Sequence, residues 1–363
     1  MHLVVTSRAR IEAAYGPDAF DHLGTALLAY SAALGENVPH ELLAVDDAAS
    51  AALLNIEPVT ATDATSIATA IRAARQSASD PITSVLLVGG PDIIPFFPEP
   101  SPIPQDNDSS VATDNPYGCA TADQRTYPVP DIAVGRVVGS KGGGLDTLIG
   151  HLNSMTALHQ SASSLSGAMA LGCSIWASFT DAVLSTMGHF GISQSSPAYI
   201  VKASTSADLQ RRLLYFNLHG MDTGTDWWGS DTERLWDCVS PAALGTANLS
   251  GAVIFAANCF GAAIDGRTID SSCALTAIKA GAQAFIGSTC FAYGSGSSSN
   301  TNPLFSDRLA QLFFQKYAGA PSTGDAFVEA RLAYVRENLI NGFLNPTETK
   351  TALQFVFLGD PTL

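Results

Sequence analysis

Two residues in this chain combine reactive chemistry with a telling position. The apolar run Leu213-Leu214-Tyr215-Phe216-Asn217-Leu218 ends directly in His219-Gly220, and a second run, Ala252-Val253-Ile254-Phe255-Ala256-Ala257-Asn258, ends in Cys259. It is the thiolate that reacts, and a neighbouring imidazole can lower the thiol pKa or take its proton. Parallel sheets gather reacting groups at the carboxyl ends of their strands. The separation, 259 − 219 = 40 residues, leaves room for a connection that brings the chain back to an adjacent parallel strand. Taken singly, each residue has a plainer reading. A histidine after an apolar strand is commonly a hydrogen-bonded core residue, and a free cysteine commonly packs as a small hydrophobe.

Other chemistries lack their signatures. No G-x-S-x-G elbow, HExxH, P-loop or dinucleotide fingerprint occurs. Cysteines 119, 173, 238, 259, 273 and 290 form no CxxC and no dense disulfide pattern, so reduced thiols are expected. His151 and His159 are eight residues apart on an expected helix, too far for one turn to bring together. Asp106, Asp108 and Asp114 allow two readings, a solvated acidic loop or a structural calcium held through oxygen ligands. No cofactor and no catalytic metal are required.

The elements that must position His219 and Cys259 alternate. Short apolar runs predict strands at 3–6, 41–45, 84–88, 131–134, 168–171, 213–218, 252–257, 282–286 and 354–358. Several are apolar on both faces, as buried parallel strands are. Helices are predicted at 62–77, capped by Thr62 or Asp63, and at 303–317 and 322–338. The segment 89–108 carries prolines at 91, 95, 98, 100, 102 and 104, which predicts extended chain largely without ladder hydrogen bonds. Residues 294–300, Gly-Ser-Gly-Ser-Ser-Ser-Asn, suit a surface linker or a loop over a cleft. A boundary in the glycine-rich 139–144 stretch divides the chain into two α/β subdomains, 1–140 and 141–363.

Bulk properties narrow the partners. The 363 residues are 46% hydrophobic, enough for a sizeable core, and the net charge of −15 argues against a phosphate-binding face and hence against nucleic acid. No apolar run reaches the roughly 18 residues of a membrane span. The first residues lack a basic stretch followed by an apolar core, so a cytoplasmic location is expected, with a secreted one open if a leader has been removed.

With these strand ends in view, the chain resembles the caspase, legumain and gingipain clan of cysteine peptidases, and other motifs narrow the resemblance to the gingipain branch. They are Leu86-Leu87-Val88-Gly89-Gly90 with Ile94-Pro95, Thr113-Asp114-Asn115-Pro116-Tyr117-Gly118, Pro130-Asp131-Ile132-Ala133-Val134-Gly135-Arg136, and the closing Gly359-Asp360-Pro361. The resemblance runs from about residue 84 to the end. It implies a caspase-like α/β/α sandwich around a mainly parallel sheet, acting on protein or peptide substrates.

Carried over residue by residue, the resemblance makes Cys259 the nucleophile that forms a thioacyl intermediate. It makes His219 the group that protonates the leaving amine and then activates water, with the N–H groups of Gly220 and Cys259 as oxyanion hole. The family places carboxylates near the histidine and in the specificity pocket from the loop after the first catalytic strand. Here that loop, 171–181, has no Glu and a single late Asp181, which leaves a preference for Arg in doubt. Other pocket candidates are Asp222, Asp226, Trp227 and Trp228 after His219, and Ser288 and Tyr293 after the next strand. Adjacent tryptophans suit a partly apolar cleft. Two rival readings remain: a catalytically silent caspase-like interaction module, and a thiol acyl-transferase or ligase using the same pair.

Overall fold

The computed structural model describes residues 1–188, 191–296 and 302–363. Among these described residues fourteen strands occur in the order β1 (His2–Thr6), β2 (His40–Ala44), β3 (Ser84–Val88), β4 (Phe97–Pro100), β5 (Ser110–Thr113), β6 (Ala133–Val137), β7 (Ala168–Cys173), β8 (Gly191–Ser196), β9 (Leu213–Asn217), β10 (Trp227–Ser230), β11 (Leu235–Val239), β12 (Val253–Ala256), β13 (Ala284–Ser288) and β14 (Phe355–Gly359). Ten form one sheet, ordered β2-β1-β3-β6-β14-β13-β12-β9-β7-β8. Every neighbouring pair in it is parallel except β13 with β14. The hairpins β4–β5 and β10–β11 stand apart from it.

Alternation along the strands builds the sandwich. Leu214, Phe216, Ile254, Ala256, Phe285 and Leu358 face one core, while Tyr215, Phe255, Ile286 and Phe357 face another. Helix Cys273–Lys279 covers the first face, and helices Phe305–Tyr317 and Thr323–Asn338 cover the second. The fold is thus α/β/α, with period-two strands buried on both sides.

All nine predicted strands are present, β6 beginning two residues later than expected at Ala133. Edge strand β8, Gly191-Ile192-Ser193-Gln194-Ser195-Ser196, is polar and carries no apolar signal. The proline-rich segment departs from expectation too, because Phe97–Pro100 pairs with Ser110–Thr113. Pro98 and Pro100 are exposed there, at the margin of a two-stranded ribbon where a missing donor is tolerated. Helix Ala64–Ser77 starts from Asp63, whose side chain accepts the Ser66 N–H at 3.0 Å.

The separated motifs converge on one guanidinium. Arg136, fully buried, pairs with Asp114 at 2.5 Å and donates to the carbonyls of Gly89 at 2.9 Å and Ile94 at 2.7 Å. Tyr117 donates to Pro95 O at 2.5 Å, and the backbone of Gly359 leaves Gly135 no room for a Cβ. Helix Gly144–Gln160 buries Leu148, Leu152 and Met155 with the core of β1 and β3. By packing it therefore belongs with β1, β2, β3 and β6, although the 140/141 division falls before it. Among the described residues, no helix is long and apolar enough to cross a membrane.

Candidate active site

Strands β9 and β12 pair with Leu213 opposite Val253 and Phe216 opposite Ala256. Continued past the ladder, that register sets His219 opposite Cys259. Ala257 N–H donates to Phe216 O at 2.8 Å, and Leu218 N–H then donates to the side-chain Oδ1 of Asn258 at 2.9 Å. Gly220 lies so close that a Cβ there would overlap the Cys259 carbonyl oxygen. Among the described residues, neither Gly220 nor Cys259 gives its backbone N–H to another residue. The Cys259 N–H is instead directed at its own sulfur, where it helps to lower the thiol pKa.

His219 is held by the β10–β11 hairpin and the turn after β7. Its N–H donates to Trp228 O at 2.8 Å and Trp228 N–H returns the bond at 3.0 Å. The ring Nε2 meets Ser230 Oγ at 3.1 Å, and the Trp176 ring centroid lies 4.6 Å from the imidazole at 51°. The half-buried imidazole has its pKa lowered by desolvation.

Cys259 is half-buried and clasped by the backbone after β13. Its Sγ donates to Ala292 O at 3.4 Å, and Ala292 N–H lies 3.3 Å from the same sulfur. Burial pushes the thiol pKa up, while the Ala292 N–H and the charge of Lys350 pull it back. Lys350 is fully buried, paired with Asp108 at 2.5 Å and with Asp106. Asp108 also accepts Phe291 N–H at 2.9 Å. That pair thus braces the backbone touching the sulfur.

The other sequence-named residues divide. Asp226 and Trp227 line a crevice with Cys259, Met221, Phe260 and Arg267. Trp227 is nevertheless buried, its ring packed 5.2 Å from Phe216 and 6.2 Å from Phe285. Trp228 is half-buried and donates its Nε1–H to Asp237 at 2.6 Å. Tyr293 follows the segment on Cys259, its ring 5.6 Å from the Lys350 Nζ. Ser288 is fully buried, with its hydroxyl bonded to Cys290 O at 2.8 Å. Asp181 is exposed on helix Ala177–Leu184 and accepts the hydroxyl of Ser193 on β8, so the structure does not bring it to the thiol. Asp222 offers its main-chain carbonyl to Arg267.

Where calcium was one reading, protein cations stand: Lys350 beside Asp106 and Asp108, and Arg136 beside Asp114. Among the described residues, no group of three or more His, Cys, Asp and Glu could hold a metal. Of the loop 294–300, residues 297–300 lie outside the described residues. Sequence reasoning passed over Trp176, Ser230, Ala292 and Lys350. Trp176 lies inside the loop read for carboxylates, where an aromatic carries no such signal, and the other three reach the site only through tertiary pairing.

Comparison with known proteins follows this geometry. The profile of Peptidase family C25 matches residues 55–363, beginning upstream of the first sequence motif. The crystal structure of the Arg-specific cysteine proteinase gingipain R superposes with a TM-score of 0.69 at 15% identity, covering 100% of this chain and 77% of that one. The complex of the pro- and mature domains of RgpB from Porphyromonas gingivalis gives 0.67 at 14% identity, covering 100% and 79%. At such identities the likeness is one of fold. No curated protein sequence matches. Over 309 of its 363 residues, 55 through 363, the chain belongs to Peptidase family C25, the gingipain family, and is a cysteine peptidase.

Proposed function

We propose that the chain is an endopeptidase that cleaves peptide bonds within proteins, with Cys259 as nucleophile and His219 as proton carrier. Sγ attacks the scissile carbonyl carbon and its proton passes to His219. The imidazolium then protonates the departing amine, leaving a thioester on Cys259. Water, deprotonated by His219, attacks that thioester and releases the acid. The Gly220 and Cys259 N–H groups face the oxyanion that forms at each addition.

The observation that supports this reading is the parallel pairing of β9 with β12, whose register continued past the strand ends sets residue 219 against 259, with Gly220 in backbone contact with Cys259. Arg specificity belongs to the named relative. In this chain the sole carboxylate of the 171–181 loop, Asp181, is exposed and accepts the Ser193 hydroxyl, so that loop supplies no carboxylate beside the thiol to favour Arg.

The test is hydrolysis of dye-quenched casein and of a mixed peptide library by wild type and Cys259→Ala. Loss of turnover in a variant that melts like wild type is expected. Undiminished turnover excludes Cys259 as nucleophile, and products joined to added amines in place of water indicate ligation.

A further inference from the structure

Resting on the Cys259–His219 reading, we propose that Ser230 is the positioning residue of His219, a neutral hydroxyl doing what a carboxylate commonly does for a catalytic imidazole. A base in a nucleophile–base pair is oriented by a third group, and when that group is an anion it also stabilises the imidazolium. Here the third group can do only the first of these.

The placement of Ser230 is fixed from several sides. It is 3% exposed, at the end of β10. Its carbonyl accepts the Ser174 hydroxyl at 3.0 Å, and its own hydroxyl faces the buried Cys173 thiol as well as His219 Nε2. Trp176 packs on the imidazole from the turn after β7. The hydroxyl and the indole together restrict the ring to one orientation.

The charged and titratable neighbours are otherwise engaged. From the hairpin, Asp237 accepts Trp228 Nε1. From the segment after His219, Asp222 takes the Thr223 N–H and Asp226 takes the Thr225 hydroxyl. From the turn after β7 comes only the thiol of Cys173, itself pushed up by burial, and from the end of β12 the thiol of Cys259. Burial alone shifts the imidazole, and it shifts it down.

A hydroxyl can donate to or accept from either neutral tautomer, yet it offers a cation far less than an anion does. The neutral hydroxyl and the burial of both groups thus favour thiol and neutral imidazole over the ion pair. The Sγ proton moves to His219 as the Sγ–carbon bond forms and leaves with the amine, so no charge is stored between turnovers.

Three variants test this, read by casein hydrolysis and by the pH dependence of iodoacetamide alkylation at Cys259, followed by peptide mass spectrometry. Ser230→Ala is expected to lower kcat about tenfold or more with KM little changed, as loss of an orienting group does. Ser230→Asp is expected to move the alkylation profile toward acid by about one pH unit, roughly tenfold faster labelling at pH 6, because an adjacent anion favours the imidazolium and with it the thiolate. Ser230→Ala turnover within twofold of wild type overturns the proposal, as does an unmoved profile in a folded Ser230→Asp protein. If Ser230→Asp does not fold, Ser230→Ala decides alone. His219→Ala separates the layers: turnover that survives it overturns the reading of the pair, whereas its loss beside an unaffected Ser230→Ala overturns the positioning role only.

Discussion

The side-chain oxygen of Asn258 accepts the backbone N–H of Leu218 at 2.9 Å, so the residue before the thiol is tied to the residue before the imidazole. This bond continues the β9–β12 ladder one step beyond its backbone pairs. Asn258→Ala strands a buried N–H, at a cost of about 1–3 kcal/mol. We expect a lower melting temperature and a kcat loss of about tenfold or more, since misplacement on the scale of 1 Å near the reacting atoms is expensive. Calorimetry with steady-state kinetics checks both, and a variant equal to wild type in kcat would remove Asn258 from the account.

Gly220 has no space for a side chain beside the Cys259 carbonyl. Gly220→Ala should push the two strand ends apart and misalign the N–H donors. The expected loss is about 100-fold in kcat/KM, the range seen when one oxyanion donor is removed. Turnover within a few-fold of wild type, in a protein with an unchanged circular dichroism spectrum, would count against this donor pair.

Arg136 carries a different load. Its guanidinium joins Asp114, Gly89 and Ile94 far from water, and removing one partner of a buried ion pair costs about 3–5 kcal/mol. Asp114→Asn should therefore lower the urea midpoint markedly. A midpoint unchanged from wild type contradicts this reading of the junction.

Acid sensitivity follows from two buried histidines. Burial lowers His2 and His151 to about 4, from the 6.5 of an exposed ring. Between pH 6.5 and 4 the unfolded chain binds more protons at these sites, so stability falls as pH falls, by about 1.4 kcal/mol per pH unit for each group. Glu348 runs the other way. Burial raises its pKa from 4.5 to about 7, so its favourable contribution is fullest below 4.5 and lost as pH rises through 7. Glu348→Gln, which fixes the neutral form, should stabilise the protein at pH 8 and hardly at all at pH 4.5. Urea titrations across that range test it, and a uniform shift at every pH would falsify it.

Substrate preference is the fifth expectation. With Asp181 turned to Ser193, peptides bearing Arg before the scissile bond should gain no advantage over neutral residues. A library profile dominated by Arg would refute this.

Much of this architecture was legible because its decisive strands are apolar on both faces. The runs ending in His219 and Cys259 announce buried parallel strands by composition alone. Strand β8 stayed hidden, since Ser193, Gln194 and Ser195 at a sheet edge look like loop. The motifs around Gly89, Asp114 and Gly135 carried the resemblance to the gingipain branch, but their sequence did not show that they meet on the Arg136 guanidinium. Ser230 was unreadable for a different reason: a serine in a polar stretch says nothing until the hairpin folds it against an imidazole brought from another strand. Lys350 likewise declares itself only when helix Pro346–Gln354 delivers it beneath Tyr293.

Strand β14 lies between β6 and β13 and, among the described residues, is the sole ladder joining the four strands on one side to the five on the other. Without residues 355–359 no strand ladder would join those two groups, since β6 pairs with β14 and β14 with β13. Five residues near one end of the sequence thus act as the stitch between two half-sheets, and the half that carries His219 and Cys259 has its own β9–β12 pairing apart from that stitch.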